Sequence, residues 1–206
     1  MKKLILIGAG GHAKSVADSI NKLEYELCGF IDSNKKGTHM GLPIWGTDLE
    51  DIPNYEEYCY FVSIGDVGYR KLWFDRIRIR RLSIINIIDS SAIISSGVKM
   101  GIGNFVGKMA VINADAEIGN NNIINTKALI EHECKVGDHN HLSTNSVING
   151  NVIVGNSVFL GSSSVCNGQL KIGSNAIIGS GSVIIKDVPE NVTVVGVPAR
   201  VIKRRD

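Results

Sequence analysis

The chain has 206 residues, enough for one large domain or two small ones, with 44% hydrophobic content and a formal net charge of +2. That balance excludes a global electrostatic drive toward nucleic acid or a membrane surface, and no apolar run approaches the roughly 18 to 20 residues of a membrane span. Cys28, Cys59, Cys134 and Cys166 stand far apart without CxxC spacing, which points to reduced thiols in a cytoplasm, not to disulfides or zinc.

The N-terminal "MKKLILIGAGGHAKS" has only "LILI" before glycines intervene, so it predicts a buried first strand and a glycine turn, not a signal peptide. "GHAKSVADSINKL" follows with helical spacing at Ala13, Val16, Ala17, Ile20 and Leu23. "ELCGFID" predicts a second strand ending at Asp32, "YCYFVSIG" a third, and "YRKLWFDRIRIRRL" a basic amphipathic helix. Residues 1–84 therefore read as an α/β domain, a βαβ unit (half of a Rossmann-like fold) with an extra strand. Gly8-x-Gly10-x-x-Ala13, with Asp32 a little over twenty positions on, matches the dinucleotide fingerprint, in which a phosphate rests on a helix N-terminus and glycines permit close approach. The second half of a dinucleotide fold has no room before the next pattern begins, so a mononucleotide or nucleotide sugar is the expected ligand. His12 is placed either to aid the phosphate or to cap the helix.

From residue 85 to 206 the pattern changes. Stepping by six from Ile88 to Ile184 meets seventeen positions, all apolar, without a slip. The position after each anchor is Gly, Asn or Asp in thirteen of seventeen cases, residues that tolerate a positive φ. Two positions before the anchor, small residues recur: Ala92, Ala110, Ala116, Ala128, Cys134, Ser146, Ser164, Ala176 and Ser182. Each hexad is then a short strand and a corner, and three hexads make one eighteen-residue coil of a triangular parallel β-helix with stacked aliphatics inside. The low aromatic content of 6% suits such a core.

The hexads and the closing "VVGVPARVI" resemble the left-handed β-helix acyltransferases. With "GAGGHAKSV", "GFID", "SIG", "INT" and "IEHEC", the whole chain resembles the bacterial sugar acyltransferases of the NeuD/PglD group. The resemblance implies a cytoplasmic homotrimer with acetyl-CoA in the groove between subunits. It implies acetyl transfer to the amino group of a nucleotide-activated amino sugar for surface glycan synthesis, or, alternatively, O-acetylation of sialic acid. It places the nucleotide sugar at Gly8, Gly10, Gly11, His12, Asp32 and Gly65, and Asn125 on the sugar substituent. His141, Gly150, Ser162 and Ser180 would contact acetyl-CoA.

"TKALIEHECKVGDHNHLSTN" carries three of the five histidines. Metal ligands stacked on one corner should recur at eighteen residues, but Gly150 and Ala114 flank His132 at that distance and cannot ligate. His139 and His141 lack an evident third ligand, so no metal is expected; a carbonic anhydrase-like zinc enzyme and a non-catalytic nucleotide-sugar binder stand as alternatives. Acid–base chemistry fits better. His132 projects from a corner, an imidazole can take a proton near neutrality, and an adjacent carboxylate fixes its tautomer. The family's His-Glu pair falls on His132 and Glu133; the role of Glu131 is not separable from that of Glu133. His141 lies nine residues on, half a coil, so one prism sends the two histidines in opposed directions and a shared site must lie between chains. Gly150 is a candidate oxyanion donor through its backbone. The final "KRRD" reads as a CoA-phosphate contact or as a solvated tail.

Overall fold

The computed structural model describes residues 1–205. The chain divides into two compact units, Met1–Ser90 and the residues from Ser91 onward; the change of sequence pattern falls at 84/85.

In the first unit, β1 (Lys2–Ile7) runs into α1 (Gly11–Asp18), followed by β2 (Tyr25–Ile31), β3 (Thr38–His39), β4 (Leu42–Gly46), β5 (Cys59–Val62), α2 (Val67–Ile79) and β6 (Ser83–Ile84). The sheet order is β3-β4-β2-β1-β5-β6, parallel except for the β3–β4 hairpin. Leu4, Ile5, Leu6 and Ile7 are all buried, as a central parallel strand covered on both faces requires. Helix α1 is shorter than its spacing suggests. Ser19 and Ile20 donate back to Val16 and Ala17, and the Asn21 side chain then accepts the Leu23 N–H at 3.1 Å. That turn ends the helix and leaves Leu23 92% exposed, so Leu23 does not belong to the apolar face. Helix α2 is capped by the Asp66 side chain on the Tyr69 N–H and buries Arg70, Trp73, Phe74 and Ile77. Half-buried Arg76 pairs with Asp48, and Arg80, just past the helix end, pairs with Glu50.

The second unit is the left-handed β-helix. Two-residue strands stack in parallel at eighteen-residue intervals on three faces. The first face carries Phe105–Val106, Ile123–Ile124, His141–Leu142, Phe159–Leu160 and Ile177–Ile178. It ends in Val192–Val195 and the antiparallel Arg200–Arg204. The second carries Ile93–Ile94, Val111–Ile112, Leu129–Ile130, Val147–Ile148, Val165–Cys166 and Val183–Ile184. The third carries Lys99–Met100, Glu117–Ile118, Lys135–Val136, Ile153–Val154 and Lys171–Ile172. From Val106 to Ile184 the hexad anchors form one buried core.

Two details of the hexad depart from the sequence reading. The left-handed conformation falls on the third residue after the anchor, not the first: every sixth residue from Met109 to Asn175 has φ between 56° and 63°. The glycines directly after the anchor answer to close approach instead. A Cβ on Gly119 or Gly137 would overlap Asp138 or Asn156 of the next coil. Those side chains are needed there, because Asp138 accepts the Asn120 N–H at 2.6 Å and Asn156 the Asp138 N–H at 2.7 Å. The second departure is inside the prism. Asn104, Asn122 and Asn140 occupy slots otherwise held by small residues and form a buried ladder, each side-chain oxygen accepting a backbone N–H of the next coil at 2.7–2.9 Å.

Candidate active site

Gly8, Gly10, Gly11, His12, Asp32 and Gly65 all line one cavity of about 530 Å³ at the C-terminal ends of β1 and β2, with Ser33, Asn34, Tyr69 and Trp73 completing the wall. The glycines differ in why they are glycine. Gly8 has φ +100° and an added Cβ would lie 2.7 Å from Ile64, so the turn itself needs it. Gly10, Gly11 and Gly65 have no positive φ, and a Cβ on any of them would meet nothing within 4 Å. The fold makes no demand there, and the space they leave belongs to the cavity.

Gly10 is the N-cap of α1 and no side chain caps the helix, so His12 is not its cap. Burial, reinforced by the Arg70 guanidinium, holds the His12 imidazole at a pKa of about 4, which makes it neutral at physiological pH. As a neutral imidazole it can offer a phosphate a hydrogen bond. Arg70, which the sequence reading missed, is 1% exposed and donates to the Ile64 and Gly65 carbonyls at 3.3 and 2.9 Å, bracing the loop that carries Gly65. Burial lowers its pKa only to about 10, against the opposing charge of Asp66, so it stays cationic. The spacing of Arg70, Trp73, Phe74 and Ile77 was the available signal. Asp32 has another task besides facing a ligand. Its Oδ2 accepts the Ala9 N–H at 2.8 Å, and its Oδ1 accepts the Asn34 and Lys35 N–H groups at 2.8 and 3.0 Å. Burial works to raise its pKa, but these donors and the Lys35 charge hold it below the usual carboxylate value. Lys35 Nζ closes the clasp on the Ala9 carbonyl at 2.6 Å.

In the β-helix, His132 and Glu133 form the turn between the second and third faces. His132 Nδ1 lies 3.0 Å from Glu133 Oε2, both side chains exposed, and Glu133 is the left-handed residue of its corner with φ 58°. One coil on, Gly150 lies directly against the imidazole: a Cβ there would come 2.6 Å from Cε1 and Nε2 of His132. The Gly150 carbonyl accepts the Gln169 N–H at 3.0 Å, while its own N–H has no acceptor among the described residues. Glu131 faces elsewhere, its Oε2 accepting from Asn113 Nδ2 at 2.9 Å. The two glutamates are thus separated, Glu133 on the ring and Glu131 on the neighbouring coil.

The remaining expected residues stand apart from this corner. His141 is on the first face, its ring edge-on to Phe159 with centroids 5.2 Å apart. A prism corner lies opposite the face it does not border, so His132 and His141 are on opposed sides. Asn125 borders the first and second faces, where its Oδ1 accepts the Thr126 N–H at 2.8 Å. Ser162 and Ser180 are exposed on that same edge, eighteen residues apart and in line with Thr126 and Thr144. Cys134 and Cys166 are buried inside the prism, and burial raises both thiols. No group of three potential metal ligands occurs among the described residues. Arg204 and Lys203 are in the last strand, and Asp206 of the "KRRD" tail lies outside the described residues.

Comparison with known proteins agrees with both halves. The sequence model of the PglD N-terminal domain matches residues 3–77. A point mutant of the perosamine N-acetyltransferase from Caulobacter crescentus, solved in complex with CoA and GDP-perosamine, is 32% identical. It superposes with a TM-score of 0.92 over 98% of each chain. The acetyltransferase domain of PglB from Neisseria gonorrhoeae is 30% identical with a TM-score of 0.93, over 98% of this chain and 100% of that one. That domain has also been solved with acetyl coenzyme A. Protein L142 of Acanthamoeba polyphaga mimivirus, uncharacterised, is 35% identical over 99 residues; the match spans 48% of this chain and 20% of that curated relative. The chain belongs to the hexapeptide-repeat sugar acetyltransferases of the NeuD/PglD type, a family of acyltransferases.

Proposed function

We propose that the protein transfers the acetyl group of acetyl-CoA to the amino group of a nucleotide-linked amino sugar. The observation that carries this reading is the His132–Glu133 pair over Gly150, on a chain similar end to end to an N-acetyltransferase solved with CoA and GDP-perosamine. Glu133 holds the Nδ1 proton of His132, which leaves Nε2 as the base. The sugar amine attacks the thioester carbon as Nε2 takes its proton. The C–N bond forms, the C–S bond breaks, and the CoA thiolate leaves with a proton from the imidazolium. The Gly150 N–H is suited to the oxyanion, and Asn125 to the sugar. His141, Ser162 and Ser180 would contact acetyl-CoA. The glycine-lined cavity, with its helix N-terminus, suits the nucleotide phosphates.

The outer surface supports a homotrimer. Residues alternating with the anchors on the second face are Ile93, Val111, Leu129, Val147, Val165 and Val183, and the first face presents Phe159 and Ile177 beside His141. The third face instead presents Lys99, Glu117, Lys135 and Lys171, with Ile153 as its one aliphatic, and Lys99 is 3.5 Å from Glu117. An aliphatic column of that length is unusual on a solvated sheet face, and two different apolar faces suit the heterologous contacts of a closed ring. Pairing the second face of one copy with the first face of the next would bring His132, on the rim of one, toward His141 on the other. Four free cysteines accord with a reducing cytoplasm, and no helix among the described residues is long and apolar enough to cross a membrane.

The test is turnover. Purified protein with acetyl-CoA is offered GDP-perosamine, then UDP-, dTDP- and CMP-linked amino sugars and free sialic acid, following CoA thiol release and product mass. The expected product is an N-acetylated nucleotide sugar. Thiol release with sialic acid alone, giving an ester, would replace this reading with O-acetylation.

A further inference from the structure

We infer that Asn113 is a positioning residue for His132, acting through Glu131, on the reading that His132 is the base. Two carboxylates flank this imidazole in sequence, and either could compete for its Nδ1. The structure separates them. Asn113 stands one coil before Glu131, and its amide donates to Glu131 Oε2 at 2.9 Å. The same oxygen also faces the His132 backbone N–H at 3.4 Å. Glu131 is therefore tied to the corner's backbone and to the preceding coil, while Glu133 alone reaches Nδ1 at 3.0 Å.

The position of Glu131 sharpens the point. It occupies the slot directly after a hexad anchor, where Asn113, Asn149 and Asn167 stand on the same edge. A carboxylate in that column is directed by the donor beside it, and Asn113 is the residue in line to supply one. Without it, Glu131 keeps only the longer contact to the His132 N–H and is free to swing toward the ring. The imidazole would then be shared between two carboxylates, and its Nε2 would lose a fixed direction. The loss belongs to kcat and not to the binding of either substrate, because Asn113 touches neither the glycine-lined cavity nor His141.

The inference is tested in full-length protein carrying ¹⁵N-labelled histidine, with the His132 ring signals assigned by their loss in His132→Ala. Asn113→Ala should move those signals, and should leave them unmoved when compared within a Glu131→Gln background. Asn113→Asp, the same shape without the donor, should move them too, and serves if the alanine variant does not fold. In turnover with acetyl-CoA and GDP-perosamine, Asn113→Ala should lower kcat about tenfold with both KM values unchanged. The inference is overturned if the His132 signals stay at their wild-type positions, or if they move equally with and without the Glu131 carboxylate. Full turnover by His132→Ala would instead remove the base assignment, a separate outcome that the Asn113 spectra do not decide.

Discussion

At the scale of single residues, the glycines distinguish fold from function. Gly10 has φ −87° and open space where a side chain would go, so Gly10→Val should fold normally yet fill part of the cavity. The expected outcome is a KM for the nucleotide sugar raised by about tenfold or more, with acetyl-CoA affinity unchanged; initial-rate kinetics with each substrate varied will show whether the effect is so divided. Gly150 is the opposite case, with open backbone but no room. Gly150→Ala would set a Cβ 2.6 Å from the His132 ring and must push the imidazole aside, so kcat should fall about 10²-fold while the melting temperature changes little. His12 makes a pH prediction. Its folded pKa of about 4 lies below its unfolded value of 6.5, so the unfolded state binds the proton first as pH falls. Its stabilising contribution is complete above pH 6.5, declines between 6.5 and 4, and is gone below; the total is of the order of 3 kcal/mol. Urea midpoints measured from pH 7 to 4 should fall less steeply in His12→Gln than in the wild type.

At the scale of elements, the β-helix was legible because its signal is repeated: an apolar anchor every six residues fixes the coil length and the three faces without any long-range information. What the repeat does not specify is which slot bends. The hexad pattern points to glycine as the left-handed residue, yet Lys127, Glu133 and His139 take that conformation and glycine serves the close approach between coils. The distinction depends on side chains eighteen residues away, which no local window contains. The asparagine ladder was hidden for the same reason. Asn122 accepts the Asn140 N–H at 2.7 Å and donates its own N–H to Asn104, so Asn122→Ala strands a buried donor and opens a gap. It should cost about 1–3 kcal/mol, read as a lower denaturant midpoint, without altering the His132 corner. In the first unit, β1, β2 and β5 were visible as apolar runs. β3, β4 and β6 were not: β3 and β6 have two residues each, and the β3–β4 hairpin depends on positive φ at Gly37, Met40 and Gly41, of 82°, 53° and 78°. The glycine cavity was legible from its motif. Arg70 shares the helical spacing of Trp73, Phe74 and Ile77, but as one of five arginines in that segment it reads as solvated until its burial is seen.

At the scale of the whole molecule, the opposed placement of His132 and His141 means that a monomer cannot bring them together, and the proposed active site is complete only between copies. Two singly inactive proteins test this directly. His132→Ala and His141→Ala are each prepared, dissociated reversibly, mixed in equal amounts and allowed to reassemble. Each must first be shown to be severely impaired alone with acetyl-CoA and the acceptor that the wild type uses. Random exchange leaves each contributing residue intact with a probability of about one half, so an interchain site returns roughly a quarter of the wild-type sites. Activity near a quarter of wild type in the exchanged mixture, and none in either protein treated alone, is the expected result; an exchanged mixture as inactive as its parents would mean that His132 and His141 do not meet across an interface.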